Sequence, residues 1–414
     1  MTVSGFFRRL GALIADLVRR GMRGGLSLIR SLYLQGESWI LDGKRASYGL
    51  AVTRILLGTM MLGLMLTNFS TRFYTWGAGM AWSGQFEYPG NDFVKLWPFR
   101  IFLDQAQNPP LFTVLYLIAI LLALSFVIGY RTRLSQFFLF FFWVAMVESN
   151  ANVNDQSDNL TRIALMVMFF TAAGDRWSVD ARRRRKADEK AVRKGTKAVF
   201  LVRWWRFQRV VPEHYTNILH NFAVIALAAQ VSFIYVSGGL YKAGGAPWSG
   251  GWAIYDPLHV TQFGPWPELS DFVTTWGPGV AFATLLTLMV QVSFPMLLMR
   301  RGTRIFALIV MLSFHIGIAV LMGLPWFSLA MIAIDAIFIR DVTYLELSGG
   351  LAKAWRRTRT AGASTAAPLE ASTEAPADAD AAADADAAPA RHADHDTDPA
   401  EEDVPVLAST ASAP

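Results

Sequence analysis

Apolar and polar positions along this chain separate into blocks rather than alternating residue by residue. Eight apolar segments lie at about 48–69, 111–129, 134–149, 159–174, 218–240, 277–299, 305–322 and 324–340, divided by short basic turns and a few longer polar loops. Crossing hydrocarbon takes roughly 17 to 25 residues of helix, so each block reads as a membrane-spanning helix. The third and fourth are short enough to need polar ends at the interface. The pattern predicts an all-α fold, a polytopic integral membrane helical bundle of about eight transmembrane helices.

Residues 4–30 show a different period. Phe6, Leu10, Leu13, Ile14, Leu17 and Val18 share one side of a helical wheel, and Arg8, Arg9, Asp16, Arg19, Arg20 and Arg23 the other. Such a helix lies in the headgroup plane, the alternative being a plain cytoplasmic helix. It lacks the short apolar core and small-residue cleavage site of a secretory signal. The expected organisation is an amphipathic cytoplasmic segment over 1–47 and a transmembrane domain over 48–345 with a basic linker at 175–217. An acidic tail rich in Ala, Asp and Pro, over 346–414, is expected to be disordered because it has almost nothing to bury.

Charge orients these segments. With the amino terminus inside, nearly all of the 38 Lys and Arg fall on the cytoplasmic side, including RTR at 131–133, RRRRK at 182–186, RWWRFQR at 203–209 and RRGTR at 300–304. The outer loops hold only Arg72, Lys95, Arg100 and Lys242. The positive-inside rule therefore favours an even number of spans with both termini cytoplasmic, as expected in a bacterial plasma membrane. The basic runs then face anionic lipid rather than nucleic acid. The chain has no cysteine, which excludes disulfides, thiolate metal sites and cysteine nucleophiles.

Ionisable groups inside spans are functional hypotheses unless they can reach an end. Arg54 lies near the inner end of the first span and is expected to snorkel. Asp158 and Arg162, four apart, share a helix face, either as an ion pair or as an outward-facing clamp. His315 and Asp335 fall in the last two spans at different depths, so a direct pair is not expected; His315 either packs or lines a site. Gln230 and Gln291 read as interhelical hydrogen-bonding groups. No nucleotide fingerprint, GxSxG or metal-ligand spacing occurs, and His392 and His395 in the acidic tail do not make a metal site.

Lys242 stands apart. The stretch YVSGGLYKAGGAPWSGGW at 235–252 ends an apolar run on Gly238 and Gly239, places one lysine there, and follows it with two more glycine pairs and two tryptophans. The glycines break a helix or let another backbone approach. Buried among Tyr241, Trp248 and Trp252, the amine would be desolvated, and a desolvated lysine can abstract a proton at neutral pH. A snorkelling anchor is the competing reading. The aromatic loop at 70–110, with Trp76, Trp82, Phe86, Tyr88 and Trp97, reads as an interfacial belt.

Three stretches carry a resemblance: NDQSDNLTRIALMVMFFTAAGDRWSVD at 154–180, QVSFIYVSGGLYKAGGAPWSGG at 230–251, and the pair SFHIGIAV at 313–320 with MIAIDAIFI at 331–339. They resemble the horizontally transferred transmembrane domain family, whose best known relatives are the vitamin K-dependent gamma-carboxylases. The resemblance implies that Lys242 matches the lysine proposed to deprotonate vitamin K hydroquinone, which makes a quinone the implied cofactor. Tyr241 and Lys242 stand where the carboxylases have two lysines, and Ser157 and Asp158 where active members have a histidine. The large folded domain that follows the spans in the carboxylases has no counterpart after 345.

The expectation is a multi-pass protein of that family, either a carboxylase-like or quinone-dependent enzyme with Lys242 as base and Asp158, Arg162 and His315 lining the site, or a non-catalytic membrane maturation or immunity factor for an exported peptide. The bilayer is the expected partner, together with an exported peptide or protein, and no nucleic acid.

Overall fold

A computed structural model describes residues 3–84, 92–194 and 212–365. Every regular element among them is helical. The principal helices are α1 (Val3–Leu41), α2 (Ser47–Thr67), α3 (Pro109–Ile128), α4 (Thr132–Val147), α5 (Gln156–Met168), α6 (Val179–Lys194), α7 (Glu213–Ala243), α8 (Gly277–Leu297), α9 (Arg301–Leu321), α10 (Pro325–Asp335) and α11 (Asp341–Thr365). Each of the eight apolar segments coincides with one of α2 to α5 or α7 to α10. Five of them, α2, α3, α7, α8 and α9, are long and apolar enough to cross a membrane. Two more, α4 and α10 with its 3-10 extension to Phe338, are apolar but shorter.

Local chemistry sets the boundaries. Asn108 caps α3 by accepting from Leu111 N, with Pro109 and Pro110 in the first turn, where a missing N–H costs nothing. At α5, Asp155 accepts from Ser157 N and Asp158 accepts from Asp155 N, a reciprocal capping box.

The compact unit that ends at Lys353 is organised around α2. Just over half of its apolar window, 56%, is buried, against 17% for α9. Leu50, Leu57, Met60, Met61 and Met65 of α2 join Phe112, Tyr116, Phe126, Trp143, Leu165, Ala330 and Ile334 in one core. Small residues permit the tightest crossing: a Cβ on Gly49 would lie 2.7 Å from Ala336 O. Outward-facing Leu111, Val114, Leu117 and Leu121 of α3 are exposed, as lipid-facing positions should be.

Arg54 departs from expectation. It is fully buried and donates to Ala173 O at 2.9 Å and Trp177 O at 2.6 Å. The turn after α5 presents carbonyls that no helix satisfies, and the forked guanidinium answers them; the side chain therefore folds inward instead of snorkelling. Another anchor lies where α7 meets the chain before α2. Asn221 Nδ2 donates to Ile40 O and Gly43 O, and its Oδ1 accepts from Arg45 N.

The amphipathic segment is helical and continues to Leu41 as part of α1; the side chains from Phe6 to Ile14, with Leu17 and Val18, lie outside the described residues. So do Phe86 and Tyr88 of the aromatic loop, RWWRFQR and His392 with His395. The second compact unit starts at Ala354 and is described only through Thr365, the last residue of α11. Helix thus continues 20 residues past the boundary expected for the tail.

Candidate functional site

Lys242 does not sit in a loop. Gly238 and Gly239 leave α7 unbroken, and Lys242 belongs to its last turn. The second glycine has a packing role: a Cβ there would meet Val292 Cγ2 at 2.9 Å and Val292 N at 3.1 Å, whereas one on Gly238 would meet nothing within 4 Å. Gly239 therefore lets α8 press against α7. Helical side chains lean toward the amino terminus, so the Lys242 chain points back down the helix, toward the level of this crossing.

There Nζ donates to Gln291 Oε1 of α8 at 3.1 Å. It lies 5.1 Å from the ring centre of Trp248 and 5.5 Å from that of Phe314 on α9, both within cation–π range. Of the aromatic residues expected around it, Trp248 is present, but Tyr241 is 89% exposed and points away. Tyr241 and Lys242 are adjacent, and successive helical positions face about 100° apart; one cannot enclose the other. Trp248 arrives on a short helix, Ala246–Ser249, after a turn closed by Gly245 N donating to Lys242 O.

Deeper along the same face of α7 lies Tyr235, 2% exposed. Its hydroxyl donates to Asp335 Oδ2 of α10 at 2.8 Å and lies 3.3 Å from His315 Nε2 of α9. Its ring packs on Phe294 at 4.6 Å. His315 and Asp335 are thus joined through Tyr235, which spans the difference in depth that made a direct pair unexpected. His315 Nδ1 and Asp335 Oδ1 are buried without a hydrogen-bond partner, as are Thr284 Oγ1 and Ser328 Oγ. Phe314 touches both halves of the assembly, with its ring under Lys242 and 5.2 Å from the His315 ring.

The other two expected site residues go elsewhere. Asp158 is spent on the α5 capping box. Arg162 pairs with Glu148 and donates to Asn159 Oδ1 at 2.8 Å, so the anticipated Asp158–Arg162 pair gives way to Glu148, which the turn after α4 brings alongside. Gln230, expected to bond between helices, donates to Leu160 O of α5.

Sequence reasoning missed Tyr235 and Asp335 as partners of His315, and Phe314 as the ring shared by Lys242 and His315. A signal for two of them is present. Tyr235 and Lys242, Thr284 and Gln291, and Ser328 and Asp335 are each seven residues apart, close to two helical turns, which marks one polar stripe on each of three apolar helices. Phe314 carries no such mark among so many aromatic residues. Among the described residues no group of His, Asp and Glu could hold a metal ion.

No curated protein and no solved structure matches the chain. A family model does match, that of the HTTM domain, over residues 44–207, from the turn before α2 to beyond α6. The Lys242 assembly, on α7 to α10, follows that stretch. With several helices long and apolar enough to cross a bilayer and a stretch at 44–207 that matches this domain, the chain is a multi-pass membrane protein that carries an HTTM domain.

Proposed function

We propose that this protein is a membrane enzyme in which Lys242 takes a proton from a lipid-soluble hydroquinone. The observation that carries the reading is the company Lys242 keeps: an amide oxygen and two ring faces, with no carboxylate hydrogen-bonded to its ammonium among the described residues. Such partners hold the amine in place yet leave it free to exist uncharged, as a base must be before it acts. A quinone-class ring fits the residues present. Trp248 and Phe314 offer aromatic faces, and His315 Nδ1, on a side chain only 1% exposed, is a buried polar atom without a partner. When bound, the hydroquinone supplies an acidic hydroxyl and reducing electrons. The chain's own part is to orient the ring, exclude water and receive the proton at Nζ.

The reading includes eight spans in a plasma membrane, both termini cytoplasmic, and Lys242 reached from the outer leaflet. Its test is consumption of a reduced naphthoquinone under oxygen by the protein in nanodiscs. Lys242→Ala is expected to lose about a hundredfold or more, the usual worth of a positioned base. An unchanged rate in that variant overturns the assignment.

A second reading, a non-catalytic maturation or immunity factor for an exported peptide, draws on the exposed Trp97, Trp266 and Trp276, which are 85%, 56% and 69% accessible in the segments before α3 and α8. Aromatic residues of this kind suit peptide capture as well as a membrane interface. Crosslinking in native membranes that recovers an exported peptide, with quinol consumption absent, favours it.

A further inference from the structure

The Tyr235 hydroxyl bridges His315 and Asp335, and neither that bridge nor the buried Asp335 carboxyl is explained by quinol binding and proton abstraction at Lys242. Tyrosine has one O–H to give. It donates to Asp335 Oδ2 at 2.8 Å, so the 3.3 Å contact with His315 Nε2 has the imidazole N–H donating to the tyrosine oxygen. That tautomer leaves His315 Nδ1 with a bare lone pair, and Nδ1 is buried without a partner. Asp335 Oδ1 is equally buried and unpartnered at the other end. The three groups are therefore aligned in one sense, with a free acceptor at one end, a carboxylate at the other, and a transferable hydrogen on each of the two contacts between them.

Phe314 connects this unit to the lysine. Phe314 and His315 are consecutive on α9, and the Phe314 ring contacts both the Lys242 ammonium and the imidazole. Charged groups on neighbouring helices are occupied elsewhere: Arg54 of α2 by the carbonyls of Ala173 and Trp177, Arg162 of α5 by Glu148 and Asn159. A base sealed in an apolar bundle must shed its proton before acting again, and a carboxylate sealed in the same bundle without a cation needs one.

We infer that His315, Tyr235 and Asp335 form a proton relay that unloads Lys242 into the membrane interior. This deepens the proposed function and rests on Lys242 acting as base. In the balanced step one N–H bond of the Lys242 ammonium breaks and Nδ1–H of His315 forms, directly or across one water. Nε2–H of His315 passes its proton to the Tyr235 oxygen as Tyr235 passes its own to Asp335 Oδ2. An ammonium and a carboxylate become an amine and a carboxylic acid, the histidine and tyrosine return to neutral forms, and no electron moves. Tyr235 lies two turns below Lys242 on the same face of α7, and Asp335 meets it from α10. Ser328 Oγ and Thr284 Oγ1 are further unpartnered hydroxyls on the same polar stripes.

Time-resolved infrared spectroscopy after a light-triggered pH drop, on the full chain in nanodiscs without substrate, tests this. The protonated-carboxyl band of Asp335 is assigned by its absence in Asp335→Asn. Tyr235→Phe keeps the ring against Phe294, and His315→Gln keeps a polar side chain; each is expected to slow the appearance of that band by about a hundredfold, and Lys242→Met to slow it comparably. Should one relay variant fail to fold, judged by helix content and elution, the other carries the test. A band that grows at the wild-type rate in the relay variants overturns the inference, as does the lack of any Asp335 band in the wild type. If the relay variants are slow and Lys242→Met is not, the unit exchanges protons with another donor and the link to Lys242 falls. Quinol consumption by Lys242→Ala then decides the base assignment by itself.

Discussion

Gln291 is the residue on which the placement of Lys242 most depends. Its amide oxygen is the acceptor that fixes Nζ, and removing one partner of a charged hydrogen bond costs more than the bond's net worth. Gln291→Leu is expected to lower stability by about 2 kcal/mol, read by denaturant unfolding in detergent. The double variant with Lys242→Met should lose less than the sum of the two single changes, because the amine is no longer there to be stranded. Additive losses would mean the contact contributes nothing. At this scale the sequence exposed Lys242 and His315, since ionisable groups in apolar runs are conspicuous. Tyr235 stayed hidden because tyrosine is ordinary in a span, and the link from His315 to Asp335 because depth counted from helix ends ignores how far a tyrosine reaches. Arg54 was misjudged for a related reason: the carbonyls it serves come from a turn more than a hundred residues away.

Among the elements, the crossing of α7 and α8 determines whether the lysine and its acceptor meet. Two adjacent glycines make a controlled comparison. Gly238→Ala should be neutral or stabilising by about 0.5 to 1 kcal/mol, because alanine loses less backbone freedom in a helix and its methyl group meets open space. Gly239→Ala places a methyl group against Val292 backbone and side chain and should destabilise by about 1 to 3 kcal/mol, as overpacking does. Thermal unfolding of the two variants, reversed in order, would contradict the role given to the crossing. Every principal helix from α2 to α10 except α6 was legible as an apolar run, though α5 stops at Met168, six residues short of the run that marked it. What could not be read was that α7 continues through its glycine pair, because glycine weakens a helix in general while a neighbouring backbone that needs the space can retain it there.

For the molecule as a whole, the charge pattern makes a sidedness prediction that the absence of cysteine makes easy to check, since any introduced thiol is the only one. In spheroplasts, Gln107→Cys and Asp256→Cys should react with an impermeant maleimide, and Arg133→Cys and Gly302→Cys only after permeabilisation. Labelling of all four from outside would contradict eight spans with both ends cytoplasmic. Fold class and membrane character were readable because hydrophobic length is a one-dimensional property. The site was only half readable, because four helices from one half of the chain assemble it and their pairing is three-dimensional. Lys242 serves as a base rather than as a fixed cation, and Lys242→Arg separates the two. Arginine preserves the positive charge and the stacking on Trp248 and Phe314, but it does not give up its proton. Quinol consumption by Lys242→Arg in nanodiscs is expected to fall to the level of Lys242→Ala. A rate equal to that of the wild type would show that the position needs only a cation, and would contradict the base assignment.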